Sequence, residues 1–229
     1  MKIGILQTGH TPQEVEARNG DFTQMFQSLL AGHDFTFETW NVVDMEFPNG
    51  PTDADGWLLT GSKHGAYEDH PFIAPLEELI RAIRDSARPM IGICFGHQII
   101  AQALGGKVEK FAGGWAIGRH DYKDKNLGDI ALNCWHQDQV VSLPEGARVT
   151  ASSPHCAHAG IVYGDTIYTL QPHPELSNAI IHDYLVVRGD EPTYPREIVH
   201  KARAENTLPN DEPRVALQMA EFFKGVAIP

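Results

Sequence analysis

The sequence predicts a doubly wound α/β fold. Three observations carry that expectation: strand-like apolar runs alternate with helical patterns from residue 2 to residue 104, a cysteine flanked by glycines stands where one such run turns into a helix, and the second half is richer in short strands. Alternating strands and helices are the rhythm of a parallel sheet covered by helices on both faces.

Residues 2–7 read as a first strand, closed by the turn Thr8-Gly9-His10-Thr11-Pro12. Phe22, Met25, Phe26 and Leu29 fall at helical spacing and predict a helix over 21–30. Residues 35–42 read as a second strand, and the Pro-, Gly- and Asp-rich stretch 48–55 as a loop. Gly56-Trp57-Leu58-Leu59-Thr60 suits a buried strand and ends in the turn-forming Gly61-Ser62-Lys63-His64-Gly65. Leu76, Leu79, Ile80 and Ile83 mark a helix over 72–86, which Arg88-Pro89 breaks. A strand over 90–94 follows, then a helix through Ile99, Ile100 and Leu104 that Gly105-Gly106 stops. Further on, 130–135 is a strand, and 161–163 with 166–171 reads as a hairpin around Gly164-Asp165. Helical patterns return near 178–187, 196–204 and 215–223. With no repeat, low-complexity tract or boundary, residues 1–229 are expected to form one unit.

A chain of 229 residues is ample for a sizeable core. Eighteen Lys and Arg face 30 Asp and Glu, a net charge of −12, which argues against a nucleic-acid partner. No stretch approaches the roughly 20 apolar residues of a membrane-spanning helix, and the N-terminal apolar run is too short for a signal peptide. Three cysteines make no regular framework, and the odd count suits a reducing compartment. The expectation is a cytoplasmic protein with no membrane partner.

Cys94 ends an apolar run as Gly-Ile-Cys-Phe-Gly-His-Gln. A nucleophile on a tight strand-to-helix turn needs small neighbours, and side chains at 92 and 96 would collide with the adjoining strand and helix. The following helix turns its free N–H groups and positive end towards the sulfur, an environment that favours thiolate. The bland reading is a buried structural cysteine beside two packing glycines.

A thiol nucleophile needs an imidazole, and the imidazole needs a group to hold it. His173 stands in Leu-Gln-Pro-His-Pro-Glu, where two prolines force extended backbone. Residues two apart in extended chain point the same way. Glu175 is therefore expected beside His173, and the proline-bracketed segment is expected outside the middle of a sheet.

Together these motifs resemble class I glutamine amidotransferases, the triad-type family, with the glutaminase domain of GMP synthase and its stand-alone relatives nearest in look. The likeness runs from the first strand to His-Pro-Glu, with the helices from about residue 177 less covered. It implies a flavodoxin-like three-layer sandwich with an open, mostly parallel sheet and a small antiparallel one. It implies Cys94 as nucleophile, His173 as general base and Glu175 as its orienting carboxylate. Phe95 and Gly61 would donate N–H groups to an oxyanion, each worth on the order of 3 kcal/mol. Gln98 and the segment Trp135-His136-Gln137-Asp138 would hold the amino-acid end of the substrate, through Gln98, Trp135, Gln137 and Asp138. The chain departs from the family in carrying Ser62-Lys63 after Gly61, and Trp135 where a smaller residue is usual.

The resemblance implies glutamine or another γ-glutamyl small molecule as substrate, no cofactor, and ammonia delivered to a separate synthase subunit, because no ATP-binding signature accompanies the motifs. Two alternatives stay open: a stand-alone γ-glutamyl peptide hydrolase, and a partner-dependent regulatory subunit with latent activity. His155-Cys156-Ala157-His158 tempts a metal reading, but no second ligand pair accompanies it, so no metal is expected. His10, His33, His64 and His70 read as surface or loop residues.

Overall fold

The computed structural model describes residues 1–228. The chain runs β1 (Lys2–Leu6), α1 (Gln13–Asn19), α2 (Phe22–Leu29), β2 (Thr36–Trp40), β3 (Gly56–Leu59), α3 (Ile73–Asp85), β4 (Met90–Ile93) and α4 (Phe95–Ala103). It continues through β5 (Lys107–Lys110), β6 (Ala116–Asp124), β7 (Gly128–His136), β8 (Asp138–Ser142), β9 (Ala147–Ser152), β10 (Gly160–Tyr163) and β11 (Ile167–Leu170), and closes with α5 (Asn178–Val187), α6 (Arg196–Glu205) and α7 (Glu212–Phe223).

The expected α/β sandwich is present. A nine-stranded sheet has the order β2-β1-β3-β4-β11-β10-β9-β6-β7, and β5 pairs with β8 in a separate antiparallel sheet. The five strands from β2 to β11 run parallel. From β11 the pairing turns antiparallel through β10, β9, β6 and β7. β3, β4 and β11 are buried throughout, as parallel strands covered on both faces must be. The core accordingly divides in two. One cluster gathers Ile3, Ile5, Leu58, Ile91, Ile93 and Leu170 with α2 and α7. The other gathers Leu6, Trp57, Leu59, Met90 and Ile161 with α3 and α4. Neighbouring residues of one strand fall in different clusters, the period of two expected of a strand between two layers.

The helices obey their local signals. Asp21 caps α2 in a reciprocal box: its side chain takes the Phe22 N–H at 2.9 Å, and its own N–H donates to Gln24 Oε1 at 2.8 Å. Ser177 caps α5 from the Ile180 N–H. Among the described residues no helix is long and apolar enough to cross a membrane.

Candidate active site

β4 and β11 are parallel neighbours, with Ile93 opposite Leu170. One residue past Ile93 is Cys94, and three past Leu170 is His173, so the sheet's pairing delivers both side chains to the same edge. The Cys94 N–H donates to the Leu170 carbonyl at 2.8 Å, which fixes the nucleophile's backbone to the strand that leads to the imidazole.

Cys94 itself has φ 53° and ψ −103°. A non-glycine residue in this region is strained, by about 1–3 kcal/mol, and such strain gathers at functional turns. The flanking glycines permit it. A Cβ on Gly92 would lie 2.6 Å from the Gly96 backbone, and one on Gly96 would lie 2.5 Å from the Leu59 carbonyl oxygen. The Gly96 N–H donates to the Thr60 carbonyl at 3.0 Å and binds the start of α4 to the end of β3. Phe95 is the first residue of α4, where a helix has no internal acceptor for the N–H.

His173 Nδ1 and Glu175 Oε1 are 2.6 Å apart, and both side chains are buried. Burial alone would lower the imidazole pKa, but the Glu175 carboxylate and the Cys94 sulfur outweigh it and raise it well above its usual value. With Nδ1 facing Glu175, Nε2 is left for the cleft. The His-Pro-Glu segment meets the sheet through a bridge in which the His173 N–H donates to the Asn133 carbonyl at 2.9 Å. The Asn133 side chain reaches on to the Leu176 carbonyl at 2.8 Å and clamps the same segment from β7.

Gly61 completes the group. A Cβ there would stand 2.9 Å from His173 Cε1 and 3.8 Å from Cys94 Cβ, so any larger residue would press on the imidazole. The Gly61 carbonyl faces the Thr8 and Thr60 hydroxyls at 3.0 and 3.1 Å, a buried contact that sets the turn after β3.

These residues open into a cleft of about 320 Å³. Gln98, Trp135, Gln137 and Asp138 all line it. Gln98 spends its donor inward: Nε2 donates to the Asp138 carbonyl at 2.8 Å and to Gln171 Oε1 at 3.1 Å, so it also braces the Asp138 segment. Gln137 Nε2 reaches the Phe111 carbonyl at 3.3 Å. Burial raises the Asp138 pKa, against the pull of Tyr67 and Lys110. Trp135 packs edge-on against Tyr194 at 5.0 Å and tilted against Tyr184 at 5.7 Å, and Trp115 meets Tyr194 at 4.8 Å. These rings form an aromatic wall on one side of the cleft.

Sequence reasoning gave no role to Asn133 or Thr8, and carried His136 only as part of the Trp135-His136-Gln137-Asp138 segment. His136 lines the cleft and is buried, with neither ring nitrogen partnered among the described residues. Burial and the nearby imidazoles, His173 first, hold it neutral, its pKa well below the usual value. His97, behind Cys94, is fully buried and bonded to Thr169 Oγ1 at 2.8 Å, with its pKa lowered to about 3 by burial and by His158.

A model of the glutamine amidotransferase class-I family matches residues 32–185. The chain is similar to Gamma-glutamyl peptidase 3 of Arabidopsis thaliana, 31% identical over 185 residues that span 74% of each protein. It is also similar to a glutamine-hydrolyzing GMP synthase subunit of Halobacterium salinarum, 33% identical over 171 residues covering 70% of this chain and 86% of that one. In fold it matches the crystal structure of a glutamine amido transferase from Methylobacillus flagellatus with a TM-score of 0.75 and 22% identity, over 99% of this chain and 96% of that one.

Proposed function

The chain belongs to the class-I glutamine amidotransferase family, and on that premise we propose that it hydrolyses γ-glutamyl amide bonds with Cys94 as nucleophile, His173 as base and Glu175 as orienter. The observation that carries this reading is the meeting, at one sheet edge, of a strained Cys94 and the His173–Glu175 pair at 2.6 Å, with room between them only for glycine at position 61.

Cys94 Sγ, its proton already held by His173 Nε2, attacks the γ-carbonyl carbon as the thiolate. The oxygen of the tetrahedral intermediate takes hydrogen bonds from the Phe95 and Gly61 N–H groups, each worth on the order of 3 kcal/mol. The C–N bond breaks, and the leaving nitrogen takes the proton from His173. Water then attacks the γ-glutamyl thioester and gives a proton to His173. The C–S bond breaks, the γ-carboxyl is released, and the thiolate is left beside the protonated His173. Glu175 holds the imidazole in one tautomer and stabilises its charged form, as the third member of such a set does.

The first reading of the substrate is glutamine, with ammonia passed to an acceptor on a separate protein, as the likeness to a GMP synthase subunit suggests. The second is a γ-glutamyl peptide. The cleft favours it by continuing past Cys94 to the wall of Trp115, Trp135 and Tyr194, and the similar plant protein bears the name of a γ-glutamyl peptidase. Glutamate release by the purified chain from L-glutamine and from γ-glutamyl dipeptides, with Cys94→Ala as blank, tests both. Release from glutamine supports the first, release from dipeptides alone the second, and no Cys94-dependent release from either removes the proposal.

A further inference from the structure

The loop joining β3 to α3 brings together three ligand-type side chains that the reaction above leaves unused. His64, Glu68 and His70 each offer one ligand atom, and the three atoms lie within 4.8 Å of one another. His70 Nε2 is 2.9 Å from Glu68 Oε2, and His64 Nδ1 is 4.0 Å from the same oxygen. The two imidazole rings lie close, tilted at 59° with centroids 4.1 Å apart.

Two imidazoles and a carboxylate are the donors of Zn²⁺ and its first-row neighbours, whereas Mg²⁺ and Ca²⁺ prefer oxygen alone. Bonds of about 2.0–2.1 Å in a tetrahedral site put ligand atoms roughly 3.3 Å apart. The 2.9 and 4.0 Å separations straddle that value, and the side chains are partly exposed, so small rotations close the set. The loop is already shaped. The Gly65 N–H donates to Glu68 Oε2 at 3.0 Å, and the Glu68 N–H returns to the Gly65 carbonyl at 3.0 Å. The His70 ring stacks on Phe72, which is buried against Phe95 at the start of α4. Two of the three ligands, His64 and Glu68, line the cleft that holds Cys94.

We propose that His64, Glu68 and His70 bind one divalent cation of the Zn²⁺ class at the rim of the Cys94 cleft, leaving one coordination position for water. This site is independent of the substrate reading, since it uses a different set of residues. Lys63 places a like, repelling charge next to His64, and Glu68 supplies the compensating negative one.

The test uses untagged Cys94→Ala protein, so that the reactive thiol does not compete for metal, titrated with Zn²⁺ by calorimetry and checked by equilibrium dialysis. The expected result is one Zn²⁺ per chain, weakened at least about tenfold in His64→Ala/His70→Ala and retained in His10→Ala. Glu68→Gln keeps the side chain's shape and weakens binding in the same direction, and thermal melts verify that each variant is folded. Co²⁺ should give the visible absorption of a four-coordinate site, lost in the same double variant. Absence of binding, or affinity unchanged by these substitutions, or loss that follows His10→Ala instead, overturns the proposal.

Discussion

His173 Nδ1 and Glu175 Oε1 lie 2.6 Å apart across a single proline, both buried beside Cys94. The pair is a local product of extended backbone, yet its effect is electrostatic. Glu175 is the main influence opposing desolvation of the imidazolium.

Removing the base should cost more than removing its orienter. His173→Ala is expected to lower kcat/KM by about 10³–10⁴, and Glu175→Ala by less, because an unoriented imidazole still accepts a proton. Steady-state rates on whichever of glutamine or γ-glutamyl dipeptide is turned over check this, and equal or reversed losses contradict the assigned roles.

The same pair sets a pH signature. The reactive Cys94–His173 couple carries one proton, and activity is lost when pH rises through the value at which the imidazolium gives it up. Glu175 raises the His173 pKa. Glu175→Gln should therefore move the alkaline limb of the kcat/KM profile to lower pH, and a limb that stays in place or moves up separates Glu175 from the titrating group.

Cys94 should react ahead of the other two thiols. All three cysteines are free and buried. Burial pushes the Cys156 thiol up to about 12 and raises that of Cys134 further, while Cys94 stands beside an imidazole and a helix N-terminus. Iodoacetamide at neutral pH, read by peptide mass, should mark Cys94 first. Cys94→Ser should abolish turnover and shift Tm by no more than about 2–4 °C, the effect of 1 kcal/mol in a protein this size.

The turn's glycines are expected to be intolerant. In Gly96→Ala the new methyl would sit 2.5 Å from the Leu59 carbonyl oxygen and 2.8 Å from Leu59 Cβ. Backbone must shift, at a cost of about 1–3 kcal/mol, and the shift reaches Cys94 directly. A thermal melt should show the loss, and activity should fall with it. A stable, fully active Gly96→Ala protein contradicts the geometry.

The parallel half of the fold was legible because its signals are local. β1, β3 and β4 are apolar runs, and α3 presents Leu76, Ile80 and Ile83 on one face. The missed elements lack such signals. α1 buries only Val15, and β5 only Val108. β6 carries Arg119, His120, Asp121 and Lys123 and is held by its nine-residue ladder with β7 more than by apolar pattern. The site divides in the same way. Cys94, His173 and Glu175 are marked by glycines and prolines next to them in sequence. Asn133 and Thr8 act through contacts that exist only once the fold has brought Leu176 to β7 and Thr60 beside the end of β1, and nothing near them in sequence announces it.

The most direct test of Cys94 as the nucleophile is to mix the protein with substrate, quench in acid, and look by peptide mass spectrometry for a γ-glutamyl group on the peptide that contains Cys94. The expected result is that adduct, labile to hydroxylamine as a thioester is, and its absence in Cys94→Ser under the same conditions. Turnover that proceeds with no adduct on Cys94, or that survives in Cys94→Ala, would contradict it.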